Sequence, residues 1–167
     1  PTRLHGLATE GLLEELESEL EALEYRFRQT LTRDVAYDSM LYARRRQLHG
    51  FIGRAMETLY ADRLDEYVTS LAHHYFEAEE WPRAFDYEHR AGQRAQALYA
   101  NKDAIAHFSK SLSLAEERLP DMLAAVDSAE LGQALTDIHE RLGEVLLLEG
   151  RYDEAMEHLS QALLIAQ

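Results

Sequence analysis

Residues 142–162 read Leu142-Gly143-Glu144-Val145-Leu146-Leu147-Leu148-Glu149-Gly150-Arg151-Tyr152-Asp153-Glu154-Ala155-Met156-Glu157-His158-Leu159-Ser160-Gln161-Ala162. Three small residues stand at fixed offsets: Gly143, then Ala155 twelve positions on, then Ala162 seven later. Small residues let two antiparallel helices approach closely, while Leu142, Leu146 and Leu159 fill the groove between them. Gly150 is placed to end the first helix, and Asp153 to cap the second.

The offsets are those of a tetratricopeptide repeat, whose helix hairpins stack into a right-handed superhelix. Working backwards, Ala72 and Ala84 take the same two small positions in a unit over about 65–98, with Leu71, Tyr75 and Ala91 at the other packing sites. The next pair, Gly92 and Ala104, follows Ala72 by 20 residues instead of the usual ~34. The helix over 82–99 must therefore close one unit and open the next. The first helix of each pair lines the concave wall. The register places Thr69, His73 and Phe76 there, then Asp86, His89 and Gln93, and finally Glu140, Glu144 and Leu148. An acidic, partly aromatic groove suits a basic or amphipathic protein segment, so the repeats point to recognition and not to catalysis.

Composition agrees with an all-α chain. Ala, Leu and Glu dominate, proline occurs only at Pro1, Pro82 and Pro120, and strand-like alternation is scarce. The 167 residues carry a net charge of −14. Residues 64–167 hold 8 Lys/Arg against 20 Asp/Glu, and residues 1–63 hold 9 against 11, so the acid is concentrated in the repeats. That half would repel a phosphate backbone, which argues against nucleic acid. No apolar run approaches the roughly 20 residues that cross a bilayer, so no membrane partner is expected. The absence of cysteine fits a reducing cytoplasm. Pro1 at the start marks a piece cut from a longer protein.

Periodicity predicts helices over about 29–42 and 44–61, with Leu31, Val35, Leu41, Leu48, Ile52, Met56 and Leu59 inward. A third covers 64–78, burying Leu64, Val68, Leu71, Ala72, Tyr75 and Phe76. Others cover 82–99, with Pro82 in the first turn and Asn101 as the next stop or cap, then 102–118, 121–149 with a break near Asp127-Ser128, and 152–167. The aromatics Tyr37, Tyr42, Phe51, Tyr60, Tyr75, Phe85 and Phe108 fall at core spacing, and Trp81 staples the turn beside Pro82. Residues 4–28 allow two structures. Leu13, Leu16, Leu20, Leu23 and Phe27 step as one amphipathic helix, while Tyr25-Arg26-Phe27-Arg28 alternates like a strand.

Three segments then carry a family resemblance. Tyr25-Arg26-Phe27-Arg28-Gln29-Thr30-Leu31-Thr32-Arg33-Asp34-Val35-Ala36-Tyr37 is followed by Arg44-Arg45-Arg46-Gln47-Leu48-His49 and then by Leu71-Ala72-His73-His74-Tyr75. In order and spacing, over roughly residues 11–118, they resemble the region after the nucleotide-binding core of bacterial STAND-class signalling ATPases. The resemblance implies a partial winged helix and linker over 1–43, in which residues 12–16 and 25–28 pair as strands, followed by repeats over 44–167. Where that family commonly carries a histidine thought to reach the nucleotide, this chain has Gln29, which cannot carry a charge. No Gly-rich phosphate loop occurs, so no catalytic or cofactor-binding residue is assigned.

Other groupings are weaker. His73 and Glu77 could share an ion, yet the sequence nominates no third ligand, and no metal is expected. Arg44, Arg45 and Arg46 could grip phosphate, but they are better employed pairing with Asp34, Asp38 and the Glu-rich stretch 14–24. The apolar residues Leu163, Leu164 and Ile165 close the last helix without a polar cover, which opens an alternative: a structural scaffold that dimerises through this end.

Overall fold

The computed structural model describes residues 7–16 and 24–166. The chain forms two compact units, Pro1–Arg45 and Arg46–Gln167. The fold is all-α with one short N-terminal β-hairpin.

In the first unit, β1 (Leu13–Leu16) pairs antiparallel with β2 (Glu24–Phe27), placing Leu13 opposite Phe27 and Glu14 opposite Arg26. The single helix that the leucine spacing suggested over 4–28 is therefore not formed at these residues; Leu20 and Leu23 lie outside the described residues. Two local preferences outweigh the helical period. Tyr25 and Phe27 favour a pleated strand, and Glu14 pairs across the strands with Arg26 at 2.7 Å. Helix α1 (Thr30–Asp38) buries no residue, and Leu31 and Val35 on it are exposed, which corrects the expected inward stripe. Arg45 does reach Asp38, at 3.7 Å, and lies 5.0 Å from the centre of the Tyr37 ring.

Helix α2 (Tyr42–Leu59) carries the chain into the second unit. Its buried residues are His49, Gly50 and Gly53, not Leu48 and Ile52, and Leu41, Tyr42, Phe51 and Leu59 are exposed. The helix sits one residue, or about 100°, round from the orientation its apolar spacing suggests. The close approach explains it: a Cβ on Gly53 would stand 2.9 Å from the Tyr75 ring. Arg46 pairs with Glu79 at 2.8 Å, outside the acids expected for it.

A 3-10 turn (Leu64–Glu66) leads to α3 (Val68–Glu77), α4 (Trp81–Ala97), α5 (Asn101–Glu117), α6 (Leu119–Ala125), α7 (Ser128–Leu148) and α8 (Tyr152–Ile165). The expected long helix breaks where anticipated, with the Asp127 carboxylate accepting from the Ala129 N–H at 2.8 Å. Helix α4 packs on both α3 and α5, α7 packs on α5, and α8 packs on α7.

Three interhelical turns are copies of one another. Seven residues after Ala72, Gly92 and Gly143 come Glu79, Tyr99 and Gly150, all left-handed, with φ of 55°, 58° and 74°. The next N–H reaches back five residues in each: Glu80 to Tyr75, Ala100 to Ala95, and Arg151 to Leu146, at 2.9–3.0 Å. This closes the helix ends in the Schellman manner. Consequently Ala100 and Arg151 are the N-caps, and neither Asn101 nor Asp153 takes that role.

Twelve residues beyond the first small position, Ala84, Ala104 and Ala155 are fully buried. Sixteen beyond it stand Glu88, Phe108 and Leu159, and a Cβ on Gly92 or Gly143 would lie 2.6 Å from the Phe108 ring or 2.7 Å from Leu159 Cγ. Tyr75, Phe108, Leu71, Ile138, Leu142 and Leu146 form the centre of the core. Phe76 meets Trp81 edge-on at 5.8 Å, and Arg118 covers the Trp81 ring at 4.5 Å, so this tryptophan does staple its junction.

Two substitutions separate close approach from helix propensity. Gly92→Ala should destabilise by ~1–3 kcal/mol through overpacking. Gly132→Ala, whose Cβ would meet only Ile165 at 3.9 Å, should stabilise by ~0.5–1 kcal/mol. Urea denaturation of both variants checks the opposite signs. A left-handed tyrosine costs ~1–2 kcal/mol and Tyr99 is exposed, so Tyr99→Gly should raise the melting temperature.

Candidate functional site

The face between α4 and α7 is held by polar side chains. His89 Nε2 lies 2.6 Å from Asp137 Oδ2, and the Gln93 amide donates to the same oxygen at 3.1 Å. Arg141, one turn along α7, donates from Nε to both Asp137 oxygens at 2.9 and 2.8 Å. It also donates to the Gln96 carbonyl at 3.2 Å, and Gln96 in turn donates to Glu144 at 3.2 Å. Asn101 continues the series, donating to Glu149 at 2.8 Å. Burial would raise the Asp137 carboxyl, but the hydrogen bonds from Arg141, His89 and Gln93 overcome it and hold it below the usual carboxylate range.

Beside this ladder a cleft of about 550 Å³ opens, lined by Ser128, Gln133, Thr136, Asp137, Glu140 and Ile165 among others. The structure thus brings His89, Gln93 and Glu144 into one network, with Glu140 at its edge. Leu148 and Asp86 are exposed, and Asp86 lies 4.0 Å from Arg90. The α3 residues go elsewhere. Thr69 lines a cleft of about 180 Å³ with Arg94, Asp103 and His107. Phe76 belongs to the Trp81 junction and lies under the Lys110 ammonium at 4.3 Å. His73 joins a histidine cluster, its ring 5.6 Å from His49 and 5.5 Å from His74. Asp137, Arg141 and Gln96 were absent from the sequence-derived wall. The Asp137/Arg141 pair, four apart on one face of α7, was the available signal.

Histidines mark several helix contacts. His49 Nδ1 and His74 Nδ1 lie 2.9 Å apart between α2 and α3, and His139 Nδ1 and His158 Nδ1 lie 3.0 Å apart between α7 and α8. One ring must donate and the other accept, so each contact needs at least one neutral imidazole. Burial, with the charges of His49 and His73 adding and Glu77 opposing, pushes His74 down to about 4. Burial likewise lowers His139, with His158 adding, and it lowers His158 against the opposing charges of Glu157 and Glu154. Among the described residues no group of three His, Asp or Glu is placed to hold a metal ion, and no helix is long and apolar enough to cross a membrane.

Compared with protein-family models, curated proteins and solved structures, the chain finds no match in any of the three.

The lowered histidines set the sign of the acid response. An unfolded imidazole binds a proton near pH 6.5 that the folded His74 refuses until about 4. Between those values the unfolded state therefore holds more protons, and stability falls as pH falls through that window. Below about 4.5 the depressed carboxyls of Asp137, Glu57 and Glu88 add to the loss. Urea midpoints should fall from pH 7.5 to pH 5, and His74→Gln should flatten the slope; a flat wild-type profile would contradict the buried neutral pairs.

Proposed function

We propose that this chain is a non-catalytic interaction and regulatory module of a larger bacterial signalling ATPase of the STAND class, built from tetratricopeptide-like repeats behind part of a winged helix. The paired strands β1 and β2, in the place the resemblance gives them, and the copied interhelical turns support that reading. The functional surface is the acidic face of α4 and α7, and its occupant is a basic, amphipathic segment of a protein, from another chain or another domain of the parent.

The ordered ladder from His89 to Glu144 carries this assignment. Asp137 is already neutralised by Arg141, whereas among the described residues Glu140 and Glu144 have no cationic partner. Both are exposed at fixed positions on a rigid helix. The helix fixes where both side chains start, and the Gln96 amide holds Glu144 further, which lowers the ordering cost of meeting a lysine or arginine. The neighbouring cleft accepts apolar side chains against Ile165 and Ala166.

A lysine- and leucine-containing amphipathic peptide is a suitable probe. It should bind in a salt-sensitive manner, while the same peptide with glutamate for lysine should not bind. At ~0.2–1 kcal/mol for each exposed pair, the double variant Glu140→Gln, Glu144→Gln should weaken binding by roughly 2–30-fold without changing the melting temperature. Equal affinity for both peptides, read by fluorescence anisotropy, would remove the assignment.

A further inference from the structure

We propose that the cleft between α3, α4 and α5 is a binding site for a small aliphatic α-amino acid, held through its two opposite charges. The proposal goes beyond the acidic face of α4 and α7 and does not depend on it.

The observation that carries it is a pair of charges that share a cleft without meeting. Arg94 of α4 and Asp103 of α5 both line the space of about 180 Å³. Among the described residues they form no ion pair with each other, Arg94 reaches no other carboxylate, and Asp103 reaches no other cation. Acids outnumber bases 31 to 17 in this chain, so a shortage of carboxylates is not what leaves the half-buried guanidinium free. Arg94 is nevertheless held in place, because one of its Nη groups donates to the Asp65 carbonyl. Its remaining N–H donors are left for a ligand.

His107, one turn beyond Asp103 on α5, completes the polar lining with Thr69 of α3. Its Nδ1 lies 2.7 Å from the Glu88 carboxylate, which is 2% exposed. Burial opposes ionisation of Glu88, but hydrogen bonds from His107 and Lys110 hold its carboxyl below the usual range. The His107 proton therefore sits on Nδ1, and the neutral ring keeps Nε2 as an acceptor. Because Nδ1 faces the buried side, Nε2 is the edge left for the cleft.

Size and floor select the occupant. The space is smaller than the roughly 300–1,000 Å³ that holds a drug-sized ligand, which limits it to a molecule of about ten non-hydrogen atoms. Its apolar lining is Ala91, Ala95, Leu98 and Ala100, a surface that suits a short aliphatic side chain. The guanidinium suits an α-carboxylate, which it can meet in a bidentate pair. Asp103 and His107 Nε2 both accept from an α-ammonium. A simple anion would leave Asp103 unmatched, and a simple cation would leave Arg94 unmatched. A zwitterion answers both at once.

Calorimetric titration of the full 167-residue chain with L-leucine tests the site, and binding should saturate. N-acetyl-L-leucine keeps the carboxylate and loses the ammonium, and L-leucinamide does the reverse; each should bind roughly 10–100-fold more weakly. Asp103→Asn, at an exposed position, should bring L-leucine down to the affinity of the N-acetyl form, leave that form unaffected, and keep the circular-dichroism melt unchanged. The Glu140→Gln, Glu144→Gln variant should bind L-leucine as the wild type does, which separates this site from the acidic face. No saturable binding of L-leucine, equal affinity for the two blocked forms and the free amino acid, or an Asp103→Asn variant that still prefers the free ammonium would each overturn the proposal.

Discussion

Close approach of antiparallel helices at small residues is the constraint on which the second unit depends. Gly53 against Tyr75, Gly92 against Phe108 and Gly143 against Leu159 leave no room for a single added carbon without movement. Where Gly92 and Gly143 bring two helix backbones this near, the turn between them is committed, and the turn after Ala72 shares the same hydrogen-bond pattern and left-handed residue. Two of these left-handed residues, Glu79 and Tyr99, are not glycine. The packing on either side must hold them in a conformation that L side chains disfavour.

The same constraint exposes the exception at Glu88. It occupies the position filled by Phe108 and Leu159 in the other units, and it is 2% exposed. His107 Nδ1 at 2.7 Å and Lys110 Nζ at 2.6 Å, both from α5, complete it. Burial would raise this carboxyl, but the two hydrogen bonds hold it below the usual range. Exchanging such a buried ionic group for an apolar one of similar size is often neutral or stabilising, so stability alone does not account for a charge here. What the group does is specify direction: the Glu88 carboxylate faces α5 and draws two of its side chains to α4. A leucine would accept any apolar neighbour.

Much of this was legible in the sequence, and the parts that were not share a cause. The small-to-small spacings located the helix pairs from Ala72 onward, and Asp127 located the break, because backbone ends and close contacts need particular residue types. Helix α2 was misplaced by one residue because its leucines and isoleucine advertise a face that the glycine contact at Gly53 overrides. The Leu13–Phe27 period suggested a helix because leucine spacing ignores cross-strand partners, and the Glu14–Arg26 pair becomes visible only once the strands are aligned. Asn101 and Asp153 have the side chains of caps, yet the tight left-handed turns start the next helices at Asn101 and Tyr152, which places these two side chains inside the first turn instead of at the cap. On the candidate face, projection found His89, Gln93 and Glu144, but it missed Asp137, which joins Arg141 of its own helix to His89 and Gln93 of α4.

That last residue shows why the α4–α7 contact is more than packing. Two helices joined by apolar side chains can slide by small steps at little cost, because dispersion is not directional. Here the ladder from His89 through Asp137, Arg141 and Gln96 to Glu144 sets the register by discrete donors and acceptors. A slip of one residue would break several of them together and leave half-buried polar groups unpaired, each at ~1–3 kcal/mol. The register of the face is therefore specified more sharply than an apolar core alone would specify it. Glu140 and Glu144 inherit that definition, since they sit on α7 within one turn of Asp137 and Arg141. Under the function proposed for it, an acidic surface whose spacing is fixed by its own helix contact would distinguish ligands by where their cations lie, and not only by how many they carry.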